Sequence, residues 1–153
     1  MNDGILLVED NPSDEKLTVR AFAKGSVATD IFVVRDGAEA LEYLFRTGRH
    51  ARRAPSALPR LILLDLSLPL VDGFEVLERV RRDERTSLLP VVVLTASKEH
   101  EDVVRAYSLG ANAYVCKPVD FTQFAETVKT LALFWLVLNE YAPTRFQAGA
   151  GAP

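Results

Sequence analysis

The stretch LILLDLSLPLVDG, residues 61–73, places an aspartate directly after four apolar residues. An unpaired buried charge is very costly. Asp65 therefore lies at an exposed strand end, is paired with other groups, or takes part in chemistry. The apolar residues 61–64 are typical of a strand that is buried on both faces. The fold around this strand decides which of these three roles Asp65 has, because it fixes the neighbours of Asp65.

The composition and charge of the chain are those of one ordinary globular domain. The 153 residues are 48% hydrophobic and 25% charged, and a chain of this size buries roughly 68–70% of its unfolded surface. The net charge of -3 provides no basic footprint for nucleic acid. The single cysteine, Cys116, excludes an intramolecular disulfide framework and a cysteine-rich zinc site. The N-terminal residues show neither a signal peptide nor a membrane span, so we expect a cytoplasmic protein.

Five short apolar runs alternate with stretches of helical spacing. The runs are Ile5–Val8, Ile31–Val34, Leu61–Leu64, Val91–Leu94 and Ala113–Cys116. The stretches between them repeat apolar residues three and four positions apart. We expect Ser13 and Asp36 to cap the helices that follow them, and Gly110 to end the fourth helix. This alternation predicts an α/β fold with a doubly wound, five-stranded parallel sheet and helices on both faces.

Polar side chains follow four of the five predicted strands. Glu9 and Asp10 follow the first, Asp65 the third, Thr95 the fourth and Lys117 the fifth. The carboxyl ends of the strands form the site in a doubly wound sheet, so these groups converge on one edge. Two carboxylates about 4 Å apart repel each other by about 4 kcal/mol at an effective dielectric constant near 20. A divalent cation among them would offset this cost, and oxygen ligands favour Mg²⁺.

This set of groups is suited to phosphoryl transfer. A carboxylate beside Mg²⁺ is a competent nucleophile toward phosphorus and forms an aspartyl phosphate. The reaction needs mainly positioning and charge neutralisation. Lys117 would add a second cation and Thr95 a hydroxyl donor for the phosphoryl oxygens. Each motif is common alone, so the prediction rests on their order at four strand ends.

Four segments carry a resemblance to a known family. They are ILLVEDNPSD (5–14), LILLDLSLPLVDGFEVL (61–77), PVVVLTAS (90–97) and GANAYVCKPVDFTQF (110–124). Together they resemble the receiver domain of bacterial two-component response regulators, over roughly residues 3–132. The resemblance implies a flavodoxin-like (CheY-like) fold with the strand order 2-1-3-4-5. The loop before the third strand and FWLVLNEY (134–141) are most similar to stand-alone receivers associated with bacterial phytochromes.

The resemblance also implies roles for individual residues. Asp65 would accept a phosphoryl group from a histidine kinase in a phosphorelay, and self-phosphorylation and dephosphorylation would be the only reactions. The groups that hold Mg²⁺ would be Asp10, Asp65, the backbone carbonyl of Ser67 and, through water, Glu9. The groups that contact the phosphoryl group would be Thr95, Ala96 and Lys117. Tyr114 matches the aromatic position that switches together with Thr95. Ser67 is smaller than the asparagine or methionine often found at its position in the family.

We expect one receiver domain over residues 3–140, with an extended C-terminal helix, and a disordered tail over 141–153. A DNA-binding or enzymatic output domain has no room here, so the signal would leave by protein contact. The predicted inward stripe of the last helix is Phe121, Phe124, Ala125, Val128, Leu131, Ala132 and Trp135. The apolar residues off this stripe are Leu133, Phe134, Leu136 and Val137. Unpartnered apolar residues of this kind predict a homodimer through the helix, unless the tail folds back over them.

Three alternatives to a phosphoacceptor conflict with residues of this chain. An aspartate-nucleophile phosphatase of the haloacid dehalogenase type carries a second acid two residues after the nucleophile, where this chain has Ser67. A degenerate receiver that only binds a partner has lost an acid or the lysine, and all are present. A dinucleotide-binding domain needs a glycine fingerprint after the first strand, which is absent. The basic loop 47–59 is either solvated or a contact for an acidic partner.

Overall fold

The five predicted apolar runs form one parallel sheet in a computed structural model of the protein. The structure describes residues 4–24, 29–54 and 58–142. The strands are β1 (Ile5–Val8), β2 (Ile31–Val34), β3 (Leu61–Leu64), β4 (Val91–Thr95) and β5 (Ala113–Cys116). All neighbouring strands run parallel, in the order β2-β1-β3-β4-β5. The predicted fold class and strand order are confirmed.

Helices cover both faces of this sheet. They are α1 (Pro12–Lys24), α2 (Gly37–Phe45), α3 (Gly73–Arg82), α4 (His100–Ser108) and α5 (Phe121–Ala132). Helices α1 and α5 pack on one face, and their apolar residues share a core cluster with one side of the strands. Helices α2, α3 and α4 supply the cluster on the other face. The sheet is therefore the middle of three layers.

The continuous apolar runs follow from these two core clusters. Successive side chains of a strand point to opposite faces. In β3, Ile62 and Leu64 join the cluster under α2 to α4, whereas Leu61 and Leu63 join the cluster under α1 and α5. Each fully buried aliphatic side chain contributes roughly 1.5–3 kcal/mol to folding. An acid placed after such a strand is fixed by a rigid element.

Side-chain caps begin α1, α2, α3 and α5, and one predicted cap is wrong. Asp36 Oδ1 accepts a hydrogen bond from Glu39 N at 2.7 Å, as predicted. The cap of α1 is Asn11 instead of Ser13, since Asn11 Oδ1 accepts from the backbone N–H groups of Ser13 and Asp14 at 2.9 and 3.1 Å. Proline suits the first helical position, so a helix that begins at Pro12 takes its cap from the residue before it.

Two glycines allow the loop after β3 to pack tightly. A Cβ atom on Gly73 would lie 2.4 Å from the carbonyl oxygen of Asp65, and one on Gly37 would lie 1.8 Å from the carbonyl oxygen of Val71. Neither position leaves space for a side chain. The loop between β3 and α3 is thus held against the first turns of α2 and α3. This packing fixes the backbone that carries Asp65.

The C-terminal helix departs from its predicted inward stripe. Beyond α5 the chain continues as a π-helical segment, Leu133–Leu138, in which Asn139 N donates to Phe134 O at 2.7 Å. Phe124, Val128, Leu131 and Ala132 are buried as predicted. Phe121 is exposed, because the first turn of α5 extends past the core cluster. Leu136 is buried in the same core cluster as Val128 and Ala132, because residues four apart on a helix lie on one face. Its prediction as an interface residue is wrong.

One helical stretch among the described residues has the length and composition of a possible membrane span. It is Phe121–Leu138, with a mean hydropathy of 1.2 and 28% of the stretch buried. Its inner side chains belong to the same core cluster as β3 and β4. One side of the stretch therefore forms part of the domain core. Residues 143–153 of the predicted tail lie outside the described residues.

Candidate functional site

The polar groups at the strand ends meet at one edge of the sheet, as predicted. Asp65 follows β3, and its two carboxylate oxygens have different partners. Thr95, the last residue of β4, donates its hydroxyl to Asp65 Oδ1 at 2.9 Å. Lys117, directly after β5, donates to Asp65 Oδ2 at 2.9 Å. The buried acid at the end of an apolar strand is therefore paired on both oxygens.

Lys117 also binds two further carboxylates. Its Nζ atom lies 2.6 Å from Glu9 Oε1 and 2.9 Å from Asp14 Oδ2, beside the contact with Asp65. A lysine ammonium group has three N–H donors, so each donor has an acidic partner. Burial of a lysine is unfavourable unless the charge is paired, and these contacts supply the pairing.

Burial and pairing divide the charge unequally among the buried groups. Burial raises the pKa of Glu9 to about 8, although Lys117 opposes the shift. Burial also acts on Asp65, but the hydrogen bonds and charge of Lys117, with donation from Glu9 and Thr95, hold the pKa of Asp65 below its usual value. The three carboxylates raise the pKa of Lys117 against the effect of burial. Of these two acids, Asp65 therefore has the lower pKa and Glu9 the higher.

Glu9, Asp10 and Asp65 form an acidic cluster that fits one cation. One carboxylate oxygen from each lies within 4.8 Å of the others. Asp10 is exposed whereas Glu9 and Asp65 are buried, so the cluster opens to solvent on one side. Oxygen ligands with access for water suit a hard divalent cation. Ser67 N donates to Asp65 Oδ1 at 3.2 Å, which places Ser67 beside the cluster.

The loop after β4 connects Thr95 to the edge strand β5. The Tyr114 hydroxyl donates to the carbonyl of Ser97 at 3.0 Å, and the Cys116 thiol donates to the same carbonyl at 3.4 Å. The Tyr114 ring is half-buried against the core cluster beneath α4. Ser97 follows Thr95 by two residues, with the exposed Ala96 between them. A displacement of Thr95 would therefore reach Tyr114 through one short loop.

Comparison with known proteins assigns this arrangement to a family. The model of the response regulator receiver domain matches residues 5–129, which include all the strands and the acidic cluster. The chain belongs to the response regulator receiver family. Receivers are signalling proteins, so neither a haloacid dehalogenase nor a dinucleotide-binding domain describes this chain.

Several relatives of this receiver are phytochrome response regulators. Response regulator Rcp1 of Synechocystis sp. is 36% identical over 132 residues, which cover 86% of this chain and 88% of that protein. Its Mn²⁺-bound crystal structure gives a TM-score of 0.85 at 33% identity and covers 92% of this chain and 99% of that chain.

Two further solved structures extend this similarity. The phosphorylated cyanobacterial phytochrome response regulator RcpA gives a TM-score of 0.86 at 38% identity, over 92% of this receiver and 99% of that chain. The bacteriophytochrome response regulator RtBRR gives a TM-score of 0.74 at 48% identity, over 97% of this receiver and 89% of that chain. The predicted family and the predicted similarity to phytochrome-associated receivers are confirmed.

Sequence reasoning missed Asp14, the third acid on Lys117 in this receiver. Asp14 lies in the first turn of α1, four residues after Asp10. The first turn of a helix that follows a strand lies near the carboxyl edge of the parallel sheet, next to the strand-end groups. The contact of Asp14 with Lys117 could be predicted only from a helix that starts at Pro12. A cap at Ser13 would start the helix later and would not fix where the Asp14 side chain points.

The basic loop before β3 contacts acids of its own chain. Arg49 forms an ion pair with Glu42 at 2.9 Å, and His50 Nε2 lies 3.2 Å from Glu39. Arg53 donates to the carbonyl of Tyr43 at 2.7 Å. Arg49, His50 and Arg53 of this loop therefore have partners within the described part of the receiver.

Proposed function

We propose that this receiver accepts a phosphoryl group on Asp65 from a sensor histidine kinase. The observation that carries the proposal is the pair of 2.9 Å contacts that Thr95 and Lys117 make to opposite oxygens of Asp65. These contacts keep the carboxylate ionised and fix its direction at the open end of the acidic cluster. A nucleophile needs both properties.

In the proposed transfer, one carboxylate oxygen of Asp65 forms a bond to phosphorus. The bond between phosphorus and the imidazole nitrogen of the donor breaks, and the leaving imidazole takes up a proton. Lys117 neutralises charge on the phosphoryl oxygens, and the Thr95 hydroxyl can turn from Asp65 to one of them. Ala96 presents the backbone next to Thr95 on the same side. Positioning and charge supply most of the catalysis in such reactions.

Glu9, Asp10 and Asp65 supply the side-chain ligands of the proposed metal, and the backbone carbonyl of Ser67 is the further ligand. The spacing of the three acids supports one divalent cation, and Rcp1 has a Mn²⁺-bound structure. Mg²⁺ is the proposed physiological ion; when bound, it supplies positive charge that offsets the carboxylates and the phosphoryl oxygens. The solvent-facing Asp10 keeps an entry path for the ion.

We infer that the signal leaves through protein contacts. Thr95 and Tyr114 form the proposed switch, since Tyr114 is bonded to the loop that follows Thr95. The names of several relatives support a bacterial phytochrome as the kinase. With such a kinase, the receiver would act in the cytoplasm and would not bind nucleic acid. A homodimer would form through the exposed Leu133, Phe134 and Val137, without the buried Leu136.

Intact mass after incubation with acetyl phosphate tests the proposal. Wild-type protein is expected to gain one phosphoryl group with Mg²⁺ and none with a chelator. Asp65→Asn removes the nucleophile and is expected to gain none. Asp30→Asn, a change of the same kind at an exposed acid, is the matched control and is expected to behave as wild type. Phosphorylation of Asp65→Asn, or a wild type that never reacts, would reject the proposal; the second result would indicate a degenerate receiver.

A further inference from the structure

Asp14 holds a contact on Lys117 that the proposed transfer does not use. Its Oδ2 atom is 2.9 Å from Nζ, and its side chain is 25% exposed, whereas the Lys117 side chain is 7% exposed. The other two acids on Lys117 are buried at the end of the sheet. Asp14 therefore approaches Lys117 from the solvent side of the site.

The first turn of α1 fixes Asp14 in this position. Its backbone N–H donates to the cap residue Asn11 at 3.1 Å, and its carbonyl accepts from the Thr18 hydroxyl at 2.8 Å. A carboxylate in the first turn is also favoured by the helix dipole. That ordinary role requires no contact with Lys117, and the adjacent acid Glu15 pairs with Arg35 instead.

Lys117 has no free N–H donor while Asp14 is bound to it. All three N–H groups are occupied by carboxylates. A phosphoryl oxygen can gain a hydrogen bond from Lys117 only if one of these contacts is released. Asp14 is the most exposed of the three partners, so its carboxylate regains water at the lowest cost when released.

We propose that Asp14 competes with the phosphoryl group for Lys117 and thereby weakens the phosphorylated state. The inference rests on the proposed function of Asp65. Asp14 is a positioning residue in this account, because it acts on the phosphoryl group through Lys117. Replacing its carboxylate by an amide removes the charge and frees Lys117 for the phosphoryl oxygens.

Affinity for beryllium fluoride, a non-covalent analogue of the phosphoryl group, measures this competition at saturating Mg²⁺. Asp14→Asn is expected to bind it about three- to tenfold more tightly than wild type, which is the range for a partly exposed charged contact. Asp14→Ser is expected to change in the same direction. Glu15→Gln, the same loss of charge one residue along the helix, is expected to leave the affinity unchanged. Mg²⁺ affinity without beryllium fluoride is expected to stay equal or fall, because the site loses a negative charge.

A double-mutant cycle separates this role from a structural one. In a Lys117→Ala background, Asp14→Asn is expected to have no effect on beryllium fluoride affinity. An equal gain in that background, or an unchanged affinity for both Asp14 variants in the wild-type background, would overturn the inference alone. A wild type that neither binds beryllium fluoride nor gains a phosphoryl group from acetyl phosphate would overturn the proposed function, and the inference with it.

Discussion

Thr95 and Lys117 contact different oxygens of Asp65 and belong to different parts of the fold. Thr95 ends the fully buried strand β4 and leads into the loop whose Ser97 carbonyl binds Tyr114. Lys117 follows the edge strand β5, and the ion-pair partners of its side chain are carboxylates. A contact between Thr95 and the phosphoryl group would therefore move the loop after β4, whereas a contact between Lys117 and the phosphoryl group would change the ion pairs of Lys117. Lys117 contributes charge, whereas Thr95 contributes a mechanical connection.

Replacing each of them by alanine is expected to give different defects. Lys117→Ala removes the cation that neutralises the phosphoryl oxygens, so the rate of phosphorylation by acetyl phosphate is expected to fall about a hundredfold or more. Thr95→Ala leaves that cation, so the rate is expected to stay within about tenfold of wild type, while hydrogen exchange in the loop around Ser97 no longer responds to phosphorylation. Intact mass and hydrogen exchange measure the two effects, with Lys129→Ala and Thr122→Ala as surface controls. Identical defects in both assays would contradict the division of roles.

At the scale of single elements, the C-terminal helix shows what a sequence pattern leaves open. Regular helical spacing predicts the buried positions Phe124, Val128 and Leu131, and the structure confirms them. The prediction of Leu136 as an outward residue is wrong, because Leu136 lies four residues after the buried Ala132 and on the same side of the helix. The π-helical segment Leu133–Leu138 does not follow from this spacing either, and within it the carbonyl of Leu136 accepts a hydrogen bond from Arg60 at 3.1 Å. The spacing of apolar residues does not predict contacts of this kind.

The exposed side of this helix is expected to form a dimer. Leu133, Phe134 and Val137 are 48%, 47% and 56% exposed, and burying a side chain of this kind contributes roughly 1.5–3 kcal/mol before association costs. Light scattering at tens of micromolar is expected to show a dimeric wild type and a monomeric Phe134→Asp/Val137→Asp variant. Leu88→Asp/Val104→Asp places the same charges on exposed apolar residues elsewhere and is expected to remain dimeric. A monomeric wild type, or a dimeric Phe134→Asp/Val137→Asp variant, would contradict this interface.

At the scale of the whole molecule, the order of strands and helices determines the site. Asp65, Thr95 and Lys117 are far apart in the chain and meet because parallel strands end at one edge. That convergence could be predicted, since it depends only on alternation and on the residue that follows each strand. The contacts of Asp14 with Lys117 and of Tyr114 with Ser97 could not, since they depend on helix starts and loop paths. Cap and loop geometry vary by single residues, and a shift of one residue redirects a side chain.

The central claim is that Asp65 is the residue that becomes phosphorylated. An aspartyl phosphate is an acyl phosphate, and borohydride reduces it to homoserine at the modified position. Protein treated with acetyl phosphate and Mg²⁺, reduced and then analysed by peptide mass spectrometry, is expected to carry homoserine at position 65 and to retain every other acid. Homoserine at Asp10, Asp14 or any other aspartate, the corresponding five-carbon alcohol (5-hydroxynorvaline) at Glu9 or another glutamate, or no reduced residue in protein that has gained a phosphoryl group, would contradict the claim.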